Sequence, residues 1–156
     1  SPDACLAQVN RVLASDGVAS MYVTVFYGVL NTRDGSLSYC NAGHNPPYVL
    51  RADGSVEPLA QVGGMVVGLF EDASFESGSI RLGPGDGLFM YTDGVTEATD
   101  AAGEEFTTSR LAPCLAACRG LGLDEVIRRV GDAVTAFAGE APQADDITML
   151  ALRYLA

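Results

Sequence analysis

Two Asp-Gly dipeptides, at residues 34–35 and 53–54, each lie between runs of β-branched, aromatic and aliphatic residues. Asp-Gly supplies the positive φ angles that tight hairpin turns require, which commits the flanking runs to antiparallel pairing. The runs at 20–30 ("SMYVTVFYGVL") and 36–42 therefore read as one hairpin, and "PYVLRADGSVEPL" repeats the pattern around 53–54. At least three antiparallel strands follow, and the run at 20–30 is long enough for a central one. Residues 60–74 are Gly-rich and irregular. Segments 75–82 and 86–92 read as two further strands joined by the turn signal "GPGD". The last run, "DITMLALRY" at 146–154, is almost continuously apolar and reads as a central strand.

Three segments follow helical periodicity instead. Residues 3–15 place Leu6, Val9, Val12 and Leu13 on one face, with Asp3 positioned to cap the start. Segments 107–118 and 123–138 are helical, and Leu123, Val126, Ile127, Val130, Val134 and Phe137 share one face of the second. Strands grouped before helices, with helices at both ends, argue an α+β fold with antiparallel sheet. With 156 residues, 48% of them hydrophobic, the chain suits one domain with a sizeable core.

The formal charge is −11, and all nine basic residues are Arg. No basic run or positive aromatic-interleaved patch occurs, which argues against nucleic-acid binding. No apolar run approaches the roughly 20 residues needed to span a bilayer, so no membrane contact is expected of this domain. The four cysteines form no C-x-x-C pair and read as buried free thiols. With no signal peptide at the start, these features suggest a cytoplasmic location.

The stretch "FMYTDGVTEATD" at 89–100 carries the chemistry. Its apolar run ends on Asp93 and Gly94, while Asp145 and Asp146 stand at the start of the last strand. If those strands are antiparallel neighbours, the carboxylates meet at one edge of the sheet. Acids so placed repel unless a cation lies between them, and an oxygen-only donor set suits Mg²⁺ or Mn²⁺. Gly94 would let the backbone turn close beside the ion. The alternative makes Asp93 and Gly94 an ordinary turn and Asp145 a cap on the last strand, and spacing alone leaves both open.

"YTDGVTEATDAAGEEF", "YCNAGHNPPYVLR", "MYVTVFYGVL" and "APQADDITMLALR" occur together, in order. This chain resembles the PPM-type serine/threonine phosphatases, in the branch of sporulation stage II protein E, relatives of protein phosphatase 2C. The resemblance covers nearly the whole chain and implies an α-β-β-α sandwich, here a partial one, with antiparallel sheets flanked by helices. It implies hydrolysis of phosphoserine or phosphothreonine with two Mg²⁺ or Mn²⁺ ions held mainly by aspartates. Carried over, the catalytic and metal-holding acids are Asp93 and Asp145, with Asp146 in an outer position. The implied substrate is a phosphorylated anti-sigma factor antagonist in bacterial partner-switching signalling, with a sensory domain upstream in the parent chain. Family members begin with further acidic motifs, including a G-D-x-x-D type and a "GDVSGKG"-like segment, that this sequence lacks. Residues 1–156 thus read as the C-terminal portion of such a domain, expected to be inactive in isolation and able to dimerise through uncovered strand edges. A non-catalytic, protein-binding regulatory module on the same fold is the alternative.

His44, the only histidine, lies in "NAGHNPP". It could donate a proton or neighbour the phosphate; the simpler reading is a rigid turn with His44 hydrogen-bonded locally. Glu97, Asp100, Glu104 and Glu105 could add outer contacts to an ion, but a solvated acidic loop is the default. No C-x-x-x-x-x-R loop supports a cysteine-dependent phosphatase.

Overall fold

The computed structural model describes residues 1–15 and 22–155. These form two compact units: Ser1–Pro46 with Ala60–Leu82, and Pro47–Leu59 with Gly83–Leu155. Each unit carries its own four-stranded sheet, and the α+β class expected from the sequence holds.

In the first unit, helix α1 (Pro2–Ser15) precedes strands β1 (Val25–Leu30) and β2 (Ser36–Ala42). They pair antiparallel from Val25↔Ala42 to Leu30↔Leu37 around the Asp34, Gly35 turn, where Gly35 takes φ +74°. On its other edge β2 meets two strands from the same unit, β5 (Gly63–Gly64) and β6 (Gly78–Arg81). β6 is antiparallel to it and β5 parallel. The Gly-rich segment thus contributes a short strand where a purely irregular loop is expected. Leu6, Cys40, Ala42 and Val67 form the buried centre.

The second unit holds β3 (Tyr48–Leu50) and β4 (Val56–Pro58), the hairpin expected around Asp53 and Gly54. β7 (Gly87–Tyr91) and β8 (Met149–Arg153) complete an antiparallel sheet in the order β4-β3-β7-β8. A one-turn helix α2 (Asp93–Thr96), then α3 (Thr107–Ala116) and α4 (Leu123–Ala138), lie between β7 and β8 in the chain. Val126, Val130 and Val134, one i, i+4, i+8 stripe of α4, are buried against Phe89, Tyr91, Phe106, Leu111 and Leu115. Each such valine contributes about 1.5–3 kcal/mol relative to exposure. The outer face of α4 carries Glu125, Arg128, Arg129 and Asp132 in i, i+3 and i, i+4 ion pairs.

Several expectations need correction. The strand predicted at 20–30 begins only at Val25; residues 20–21 lie outside the described residues, and Val23 instead bridges to Val67. The ladder starts at Val25 because its partner β2 ends at Ala42, and Gly43 turns the chain away at φ +75°. Among the described residues β1 pairs with β2 alone, so it is not central there. The strand predicted at 75–82 shrinks to Gly78–Arg81, and it belongs to a different sheet from β7. The last strand starts at Met149 and occupies a sheet edge rather than the centre. Its apolar run is explained by helix packing: Ile147, Met149 and Ala151 lie against the α3–α4 core, while Leu150 is 58% exposed. On α1 only Leu6 of the predicted apolar stripe is buried. Asp3 lies inside α1 and pairs with Ser77 instead of capping the helix. Cys5 is exposed, unlike the buried Cys40 and Cys118.

Three buried polar side chains fasten loops to this framework. Asn10 on α1 donates to the Phe70 and Glu71 carbonyls and accepts from the Gly68 N–H. Asn41 on β2 donates to the His44 carbonyl and accepts from the His44 N–H. Asp86, in the turn before β7, accepts from Arg51 and from the N–H groups of Ala52 and Gly83. Burial pushes the Asp86 carboxyl up, but these donors together hold it below the ordinary aspartate value.

Candidate active site

The acids singled out in the sequence sit where β7 ends and β8 begins. The two strands are antiparallel neighbours in register from Gly87↔Arg153 to Tyr91↔Met149. Continuing each strand past that last pair brings Asp93 and the Asp145, Asp146 pair to the same rim. Thr92 closes the rim. Its N–H donates to the Thr148 carbonyl at 3.0 Å. Its hydroxyl accepts from the Thr148 N–H at 2.9 Å and donates to the Asp146 carbonyl at 2.8 Å. One side chain thus extends the ladder beyond the last backbone pair, and its only mark in the sequence is a hydroxyl residue at a strand end.

After Thr92 the chain forms α2 rather than the expected loop, because the Asp93 carbonyl accepts the Glu97 N–H at 2.8 Å. Gly94 is buried in that turn. A Cβ there would stand 2.6 Å from the Asp146 carbonyl oxygen, closer than packing allows, and tight at 3.3 Å against the Asp145 carbonyl carbon. Glycine is required for the two strand ends to touch. Its place is in the wall of the rim.

Asp93, Asp145 and Asp146 are solvent-exposed. The Asp93 carboxylate accepts its neighbouring Gly94 N–H at 3.1 Å, and that of Asp145 accepts the Asp146 N–H at 2.6 Å. Gln143, a residue the sequence did not single out, donates to the Asp145 carbonyl at 2.7 Å and steadies the approach to β8. The remaining carboxylate lone pairs face solvent, and such an oxygen donor set is that of a hard dication. The donors number too few for a complete shell, however. Among the described residues no three His, Cys, Asp or Glu side chains come together closely enough to hold an ion. The acids present fit part of a metal site.

The other weighed residues divide clearly. His44 belongs to the first unit, where the Asn41 clamp fixes its backbone and its Nδ1 lies 3.3 Å from the Thr24 hydroxyl. This is the local turn geometry of the simpler reading. Asp100 accepts the Ala102 and Glu104 N–H groups and so shapes its own loop. Glu97, Glu104 and Glu105 are exposed. No helix among the described residues is long and apolar enough to cross a membrane.

Comparison with known proteins fits this geometry. The sequence profile of the Stage II sporulation protein E (SpoIIE) family matches residues 1–155. Protein IcfG of Synechocystis sp. is 34% identical over 144 residues, covering 92% of this chain and 22% of that protein. Phosphoserine phosphatase RsbU of Bacillus subtilis is 33% identical over 97 residues, covering 62% of this chain and 29% of that protein. The chain therefore spans less than a third of either relative's length. The SiaA-PP2C domain of Pseudomonas aeruginosa shares the fold, with a TM-score of 0.85 at 24% identity, over 98% of this chain and 61% of that one. With nearly every residue matched by its profile, the chain belongs to the SpoIIE family of PP2C-type phosphatases.

Proposed function

We propose that this chain contributes to metal-assisted hydrolysis of phosphoserine or phosphothreonine on a regulatory protein. The observation that carries the reading is the shared rim of β7 and β8, where Thr92 and Gly94 hold Asp93 beside Asp145 and Asp146. Asp93 and Asp145 would act as anionic oxygen ligands, with Asp146 in an outer position. Two Mg²⁺ or Mn²⁺ ions, when bound, supply the positive charge that acidifies water and offsets phosphoryl charge. The chain's own part is placement. Stitching by Thr92 keeps the carboxylates from drifting apart under mutual repulsion, and contact at Gly94 fixes their backbone spacing.

Similarity to a phosphoserine phosphatase supports a phosphorylated protein as substrate, and an anti-sigma factor antagonist in cytoplasmic partner switching is the member of that class proposed here. An upstream sensory domain in the parent chain, and dimerisation through the edge of β1 that no strand covers among the described residues, belong to the same proposal. Because no three acids converge among the described residues, the 156-residue chain alone should bind Mn²⁺ no tighter than roughly millimolar. It should also release no appreciable phosphate. That same observation favours the second reading, a protein-binding module without catalysis. The two are separated by p-nitrophenyl phosphate turnover in the intact protein. Turnover that appears with Mn²⁺ and vanishes with chelator supports the phosphatase; none at any Mn²⁺ concentration supports the binding module.

A further inference from the structure

Beside the acid rim, within the second unit, lies a pocket of about 260 Å³. It is smaller than the roughly 300–1,000 Å³ of sites built for small molecules, and suits a single long side chain. Its apolar lining includes Val134 and Ala138 of α4 and Ile147 from the approach to β8, and Glu97 and Glu105 stand on its border. No Arg or His lines it. Nor is the backbone neutral: residues 134–139 bring the C-terminal end of a 16-residue helix to the pocket, with its partial negative charge.

Apolar walls whose charged lining residues, Glu97, Glu105 and Asp145, are all acidic suit an aliphatic stem ending in a cation. Gly94 and Asp145 line the pocket as well as the rim, so an occupant would be joined to a segment passing over the acids. We propose that this pocket receives an arginine or lysine of the phosphorylated protein, close in sequence to its phosphoserine, and so sets which serine reaches the rim. This specificity role rests on the phosphatase reading. It also supplies attraction that a chain of charge −11 otherwise denies a phosphorylated segment.

The test measures binding separately from turnover. Phosphoserine peptides of alanine and glycine, with one arginine walked through the flanking positions, are titrated against the intact protein in chelator. One arginine position should bind about five- to tenfold tighter than the all-alanine peptide, an effect of order RT ln 10 or less. In the Glu97→Gln/Glu105→Gln variant that preference should disappear, while Mn²⁺-dependent p-nitrophenyl phosphate turnover stays unchanged. Equal affinity along the whole walk, or a preference that survives the double variant, overturns the pocket's role. A preference lost in the variant, in a protein that never hydrolyses p-nitrophenyl phosphate, upholds the pocket and sinks the phosphatase reading.

Discussion

At position 94 a single methyl group would separate two strand ends. Because a Cβ would lie 2.6 Å from the Asp146 carbonyl oxygen, Gly94→Ala must push residues 145–146 outward. Overpacking of this kind costs about 1–3 kcal/mol, and thermal unfolding of the variant should show it. Metal-dependent turnover in the intact protein should fall further than stability does, since the displaced residues carry the acids. Asp86 makes a different residue-scale case. Its folded pKa is depressed, so its stabilisation is present above the unfolded aspartate value and is lost as pH falls through the folded one. Asp86→Asn should cost about 1.5–3 kcal/mol at neutral pH, as expected for hydrogen bonds to a buried charge. Denaturant titrations at descending pH should show the gap to wild type closing below about pH 4. Such polar anchors were poorly legible in the sequence. Asn10 bonds to carbonyls some 60 residues away, and nothing local distinguishes it from an exposed helical asparagine.

Hairpins were legible at the scale of elements because their cause is local: Asp-Gly turns fix the pairing of whatever flanks them. Sheet position was not. The apolarity of β8 comes from α4 and the aromatic core packing on it, and a run of apolar residues reads the same at a sheet edge as at its centre. Likewise the segment 20–30 looked uniform, yet its pairing stops where β2 stops. The meeting of Asp93 with Asp145 and Asp146 could be anticipated because it needs only that β7 and β8 be antiparallel neighbours. Thr92, which holds them there, could not, since its partners come from beyond position 145. Thr92→Val keeps the β-branched shape and removes both hydroxyl hydrogen bonds. Hydrogen exchange should show faster opening of residues 145–149, with a loss of about 1–2 kcal/mol in stability. The α4 core should keep its protection.

For the whole molecule, net charge and site chemistry pull in opposite directions. A chain of charge −11 repels a phosphorylated segment, and its exposed acids at one rim make that repulsion local. Under the proposed function, divalent cations at the rim would resolve both conflicts at once. Membership of the SpoIIE family is in keeping with the proposed phosphatase role. The most direct measurement is phosphate release from a phosphoserine protein by the intact polypeptide in Mn²⁺, comparing wild type with Asp93→Asn and His44→Ala. Asp93→Asn removes an anionic ligand while keeping the side chain's shape, and should lower the rate by at least about a hundredfold. His44→Ala, in a turn held by Asn41, should change it by less than about tenfold. Near-normal turnover by Asp93→Asn would contradict the assignment of this rim as the phosphatase centre.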